Sequence, residues 1–301
     1  MSRSLWVYLL LPALLLVLAI VSLFSGATGL GELAQNRDFV LWDYRLPRIL
    51  IAVLAGAGLG LAGALIQGVI RNPLAAPDII GITQGAGLAA TAMLVIWPDL
   101  SFGWLIPGAA AGGLLASLLV WKLAWRHRGE PARLALIGIA MGAWLAALTD
   151  WLLVSHPLEI NAALVWLTGS LWGRGWEHVW LLLPVLLLLI PLALQLAYRL
   201  DLLALGDEAA EGLGAGVLRT RQLTLLVAVL LSAVSVAVCG TLSFVGLVAP
   251  HLARLLVGAD HRRLLPVAAG LGALLVLVAD TLARTMAPPL ELPAGVLTAL
   301  I

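Results

Sequence analysis

The sequence predicts an all-helical membrane protein, and three features predict it: its composition, the punctuation of its apolar runs and the placement of its basic residues. Of 301 residues, 62% are hydrophobic and 11% are charged, against roughly 45–50% and about 25% in soluble domains. A globule in water cannot cover that much apolar surface, whereas a bilayer removes the need. Each crossing takes about 20 apolar residues, so the chain has room for roughly ten. A net charge of +1 gives no support for nucleic-acid binding. Cys239, the single cysteine, leaves no disulfide framework or thiolate metal site within one chain.

Polar punctuation divides the chain into candidate spans. Arg3 precedes an apolar run from Leu5 to Phe24, longer than the core of about 7–15 residues in a secretory signal, so a retained first span is expected. Pro47–Ile70 follows, with Gly56, Gly58, Gly60, Gly63 and Gly68; small residues at such spacing let helices approach closely in lipid. Next come Ile79–Trp97, Trp104–Trp125, Leu134–Val154, Val179–Tyr198 and Leu223–Gly240. Val245–Val257 is short and carries Pro250, which predicts a broken or half-length helix sheltered by protein. Leu264–Ala283 and a stub from Pro293 to Ile301 complete the series. Trp97, Trp104, Trp125, Trp151 and Trp176 sit at predicted span ends, as interfacial anchors do.

With the N-terminus inside and the spans alternating, 12 of the 17 Lys and Arg fall inside or at inner span ends, as the positive-inside rule prefers. Arg37, Arg45, Arg48, Arg174 and Arg284 are the outer exceptions. The stretch Asp201–Arg221 breaks the apolar rhythm on the inner side. Asp207, Glu208 and Glu211 open a short helix ended by Gly212–Gly216, an arrangement suited to the helix dipole. Two readings remain for it: a surface helix between spans, or a docking element for a partner.

Several chemistries lack their residues. There is no G-x-x-x-x-G-K-[ST], and the only lysine, Lys122, lies far from any glycine loop, so the chain does not cradle nucleotide by a P-loop. The five histidines lack metal-ligand spacing, and no G-x-S-x-G occurs. Asp150 and Asp280 fall near predicted outer span ends, leaving no obvious mid-membrane acid for proton coupling. Energy coupling is therefore expected from a separate chain. Two rivals stay open: an ion-coupled secondary carrier, and an intramembrane transferase, which would need paired acids or a metal cluster.

RLPRILIAVLAGAGLGLAGALIQGVIRNPLAAPDIIGITQGAG (Arg45–Gly87), GTLSFVGLVAPHLARLLVGADHRRLLP (Gly240–Pro266) and ELPAGVLTALI (Glu291–Ile301) resemble, in order and spacing, three signatures of the iron-siderophore and cobalamin permease family of ABC importers. The resemblance implies a ten-span type II importer bundle in the bacterial inner membrane, residues 1–301 forming one permease domain. The family continues past Ile301, so the last span is expected to be cut short. It also implies a second permease copy or paralogue, a cytoplasmic ATPase dimer carrying the ATP and Mg, and a periplasmic binding protein delivering a metal chelate, first a ferric siderophore. No cofactor is expected on this chain.

The resemblance extends to single residues. Arg45 and Arg48, with Arg284, are expected to face the binding protein. The coupling helix corresponds to Leu205–Val217 within residues 201–221: Leu205, Gly206, Asp207, Glu208, Glu211, Gly212, Gly214 and Val217. Asn72, Pro73, Pro77 and Gly81 match an inner turn, and Pro250 and His251 its counterpart near the inner gate.

Overall fold

A computed structural model describes residues 3–26, 38–100, 102–125, 131–157, 160–288 and 290–301. Arg37, Arg126, His127 and Arg128 lie outside the described residues. In lipid each backbone N–H must find a partner inside its own segment, so long apolar runs fold as helices. In chain order these are α1 (Arg3–Phe24), α2 (Leu46–Ile70, entered through a π-helical turn Phe39–Arg45), α3 (Ile82–Ile96), α4 (Leu105–Trp125) and α5 (Pro131–Ser155). They continue as α6 (Ile160–Leu167), α7 (Trp176–Gln195), α8 (Ala197–Ala204), α9 (Asp207–Gly212) and α10 (Val217–Cys239). The last are α11 (Val245–Val257), α12 (His261–Ala283) and α13 (Ala294–Leu300).

Among the described residues, 7 helices are long and apolar enough to cross a membrane. They match seven of the ten apolar stretches read from the sequence. The others form α3 of 15 residues, α11 of 13 and α13 of 7. The short α6 has no counterpart in the sequence reading.

α2 is the axis of the bundle and is buried along nearly its whole length. Its glycines explain this, because each clears a different neighbour. A Cβ placed on Gly56 would lie 2.4 Å from the Gly272 carbonyl of α12, and one on Gly60 2.3 Å from that of Ala268. A Cβ on Gly58 would lie 2.7 Å from Ser235 Oγ of α10, and one on Gly63 1.8 Å from the Gly246 carbonyl of α11. Three helices thus close on one backbone by contact of small residues, the mode of association available in lipid.

α11 takes the half-length form of the two expected for it. It is shorter than a full span, but it is one continuous helix with Pro250 inside it. Proline has no N–H to offer the carbonyl four residues back, which here is Gly246. That carbonyl presses instead on Gly63, where only a glycine surface admits it.

Three non-helical segments meet beside these helices, at residues 168–171, 240–243 and 291–293, the last leading into α13. Ser170 N–H donates to the Cys239 carbonyl at 2.9 Å, and Gly295 N–H to that of Gly169 at 3.0 Å. Gly169 and Gly240 have φ near +70°, a region that disfavours side chains. A Cβ on Gly240 would lie 2.4 Å from the Trp166 carbonyl. Non-helical backbone inside a membrane protein needs such mutual cover.

Candidate functional site

At the end of the bundle that the charge pattern assigns to the inside, the sequence around Leu205–Val217 forms a compact element. α8 stops at Leu205; Gly206 turns at φ 103° and α9 begins at Asp207. Glu208, Glu211 and Gly212 are exposed, as are Leu205 and Leu213 at 62% each. Val217, the first residue of α10, is buried. Asp207 anchors the element: its Oδ1 accepts from Arg71 and from Arg221, each at 2.8 Å. Arg71 caps the C-terminus of α2 in a left-handed conformation (φ 56°). Arg221 is buried in the first turns of α10. The short helix is therefore tied to the central helix through one carboxylate. The glycine reading is narrowed: within this chain nothing lies within 4 Å of a Cβ at Gly206, Gly212 or Gly214. Gly206 and Gly214 (φ 80°) serve the backbone turn, while Gly216, at φ −72°, does not need to be glycine on that ground.

The inner turn after α2 exposes Asn72 and Pro73. Asn72 Oδ1 accepts from Leu74 N–H at 2.9 Å. Pro77 starts a 3-10 turn (Pro77–Ile80) that Gly81 ends at φ 77°. Pro77 is buried against Gly246 of α11, so the two signature stretches do meet. One turn farther along α11, Pro250 is buried and His251 exposed. A polar ladder continues inward: Gln67 Nε2 donates to the Leu247 carbonyl at 3.4 Å, and Arg254 Nη2 to Gln67 Oε1 at 3.2 Å.

At the opposite end the structure corrects the expected exposure of the three arginines. Arg45, Arg48 and Arg284 are 1%, 2% and 1% exposed, not surface cations. Each meets partners within the chain, which is what makes burying a guanidinium tolerable. Arg48 Nε donates to both oxygens of Asp280 at 2.9 and 3.1 Å, and Nη1 to Glu291 Oε2 at 2.7 Å. Arg45 Nη1 donates to the Leu23 carbonyl and Arg284 Nη2 to that of Ser22, both at 2.8 Å. The Arg284 Nε also lies 3.6 Å from Asp280. Together they clasp the end of α1, the start of α2, the end of α12 and the approach to α13. Sequence reading missed Asp280 and Glu291 as partners, although a carboxylate inside an apolar run was a signal that a cation must be near.

A cavity of about 670 Å³ opens between α3, α4, α6 and the start of α7. Arg174, Glu177 and His178 line it with Trp166. Burial pulls the Arg174 guanidinium down from its ordinary value.

A bundle of membrane-length helices around a glycine-lined axis, with a small polar element pinned to one end, defines a polytopic helical membrane protein. The FecCD transport family matches residues 8–301. The Fe(3+)-citrate import system permease protein YfmE of Bacillus subtilis is 47% identical, covering 100% of this chain and 93% of that protein. The Fe(3+) dicitrate transport system permease protein FecD of Escherichia coli is 52% identical over 90% of this chain and 84% of its own length. A solved structure described as an inward-facing conformation of a putative metal-chelate type ABC transporter superposes with a TM-score of 0.89 at 33% identity, covering 99% of this chain and 96% of that one. The chain belongs to the FecCD transport family.

Proposed function

We propose that this chain is the membrane-spanning permease of an ABC importer that moves a ferric chelate of the citrate type into the cell. The observation that carries the reading is the full-length match to a metal-chelate ABC transporter, joined by two relatives at 47% and 52% identity whose names specify ferric citrate. Two permeases pair around the path in a ten-span arrangement, in which α3, α11 and α13 count as spans. ATP is hydrolysed by a dimeric ATPase on separate chains, and an outer binding protein delivers the chelate. The ATPase seats α9, where Leu205 before it and Leu213 after it offer exposed apolar contacts and Asp207 relays displacement to α2 through Arg71.

The ion-coupled carrier requires an acid free to exchange protons. Asp280 is fully buried but neutralised by Arg48, which supports a structural role. The test is uptake of radiolabelled ferric citrate by proteoliposomes holding the permease with its ATPase and binding protein. Uptake that needs internal-leaflet ATP and survives a protonophore supports the importer; uptake abolished by the protonophore at constant ATP overturns it.

A further inference from the structure

We infer that Asp201 and His261 are positioning residues for energy coupling: they fasten the α8–α9 element to α12, so that a push from the ATPase reaches both members of the Arg48–Asp280 pair. This deepens the importer reading, in which the ATPase seats α9, and rests on it. Asp207 ties the element to α2 through Arg71 and to α10 through Arg221. α12 is tied to it separately, through α8.

The first N–H groups of a helix have no partner within it. At the start of α12, Asp260 takes one of them: its side chain accepts from Arg262 N–H at 3.0 Å. The His261 N–H is taken by a different helix, donating to Asp201 Oδ1 of α8 at 3.0 Å. The same oxygen lies 2.6 Å from His261 Nδ1. An ionised carboxylate only accepts, so Nδ1 carries the proton of that bond. α8 therefore supplies both a cap for α12 and a clamp on its first side chain, with a negative charge where the helix dipole favours one.

The joint is close-packed. His261 is buried, and a Cβ on Gly68, in the last turn of α2, would lie 2.9 Å from its Nε2 and 3.2 Å from Leu200 Cδ2 of α8. One glycine thus admits α8 and α12 together. Beside it, the Arg262 guanidinium sits 5.4 Å from the ring centre of Tyr198, also on α8, a cation–π contact. These contacts from Tyr198, Leu200 and Asp201 leave α8 little freedom to shift without α12. α8 in turn runs through Leu205 and Gly206 into α9. At their other ends α2 and α12 are joined again, by Arg48 and Asp280, and in between by the close approaches at Gly56 and Gly60. A displacement of α9 enters the two helices as a pair and arrives at the clasp.

The test uses the permease–ATPase complex in lipid nanodiscs and reads its affinity for the binding protein with and without vanadate-trapped nucleotide. The ratio of the larger affinity to the smaller measures coupling between the two ends of the bundle. His261→Phe keeps a ring and removes the donor, and should lower that ratio by about fivefold or more, the low end of coupling between distant sites. His261→Asn, whose amide offers a donor near the Nδ1 position, should retain most of it, whereas a role in packing alone would favour Phe over Asn. Asp201→Ala should match His261→Phe, and the double variant should be no worse than either, because the two changes break one joint. Asp201→Ala leaves the buried ring in place, so the joint is tested even if His261→Phe assembles poorly. A wild-type ratio in Asp201→Ala, additive losses in the double variant, or better coupling in His261→Phe than in His261→Asn overturns the inference. ATP-driven uptake of ferric citrate with the ratio unmoved in these variants would sink this inference and leave the importer standing; no ATP-driven uptake by the wild type would sink the importer.

Discussion

Replacing Arg48 with Met removes the cation from a cluster that the fold has already desolvated. Among the described residues, Asp280, fully buried, would keep only Arg284 Nε at 3.6 Å, and Glu291, 16% exposed, only Tyr44 Oη at 3.4 Å. Leaving a buried carboxylate without its partner costs about 3–5 kcal/mol. For a protein of this size that corresponds to a melting-point drop of roughly 5–8 °C. The chain provides its own reporter: Cys239, the single cysteine, is fully buried, so a thiol-reactive dye signals unfolding. Arg48→Met should melt early in detergent, while Arg199→Gln at an exposed site should not. Arg48→Met with Asp280→Leu should recover much of the loss, because an apolar pair can replace a buried ion pair. A melting point unchanged in Arg48→Met, with only binding-protein affinity reduced, would refute the clasp and restore the docking role.

Three further outcomes follow from the geometry. Gly63→Val should prevent normal assembly, since even its Cβ would meet the Gly246 carbonyl at 1.8 Å; size-exclusion profiles check this, and a wild-type profile contradicts it. Asp207→Asn should leave insertion intact but weaken the link to Arg71 and Arg221, lowering transport per ATP hydrolysed several-fold; unchanged stoichiometry would remove Asp207 from the relay. Gly214→Asn should be tolerated, because asparagine accepts a left-handed backbone and the site has free space, whereas Gly214→Trp should block ATPase seating. Equal ATPase binding by both variants would place the docking surface elsewhere.

Much of the fold was legible because lipid imposes one rule on every segment: a long apolar run must satisfy its own backbone as a helix. Leu46–Ile70 follows from that rule to within a residue, whereas Val217–Cys239 begins six residues before the apolar run read from Leu223. The glycines of α2 were legible as packing residues for the same reason. α6 was not, because Ile160–Leu167 has 8 residues, too few to register as a span. The clasp was also hidden. Arg48 finds Asp280 and Glu291 at separations of 232 and 243 residues, and local sequence cannot distinguish a cation that meets a distant carboxylate from one that faces water. The inner element shows the intermediate case: its turn glycines and acidic start were readable, but its tie through Arg71 and Arg221 depends on three helix ends meeting.

The most direct measurement of the central claim is the stoichiometric coupling of ferric citrate uptake to ATP hydrolysis in proteoliposomes containing the permease, its ATPase and its binding protein. Uptake should start only with ATP on the ATPase side, persist with a protonophore, and be lost in Gly214→Trp while the permease remains inserted. Uptake that proceeds without ATP, or that collapses with the proton gradient at constant ATP, would contradict the account.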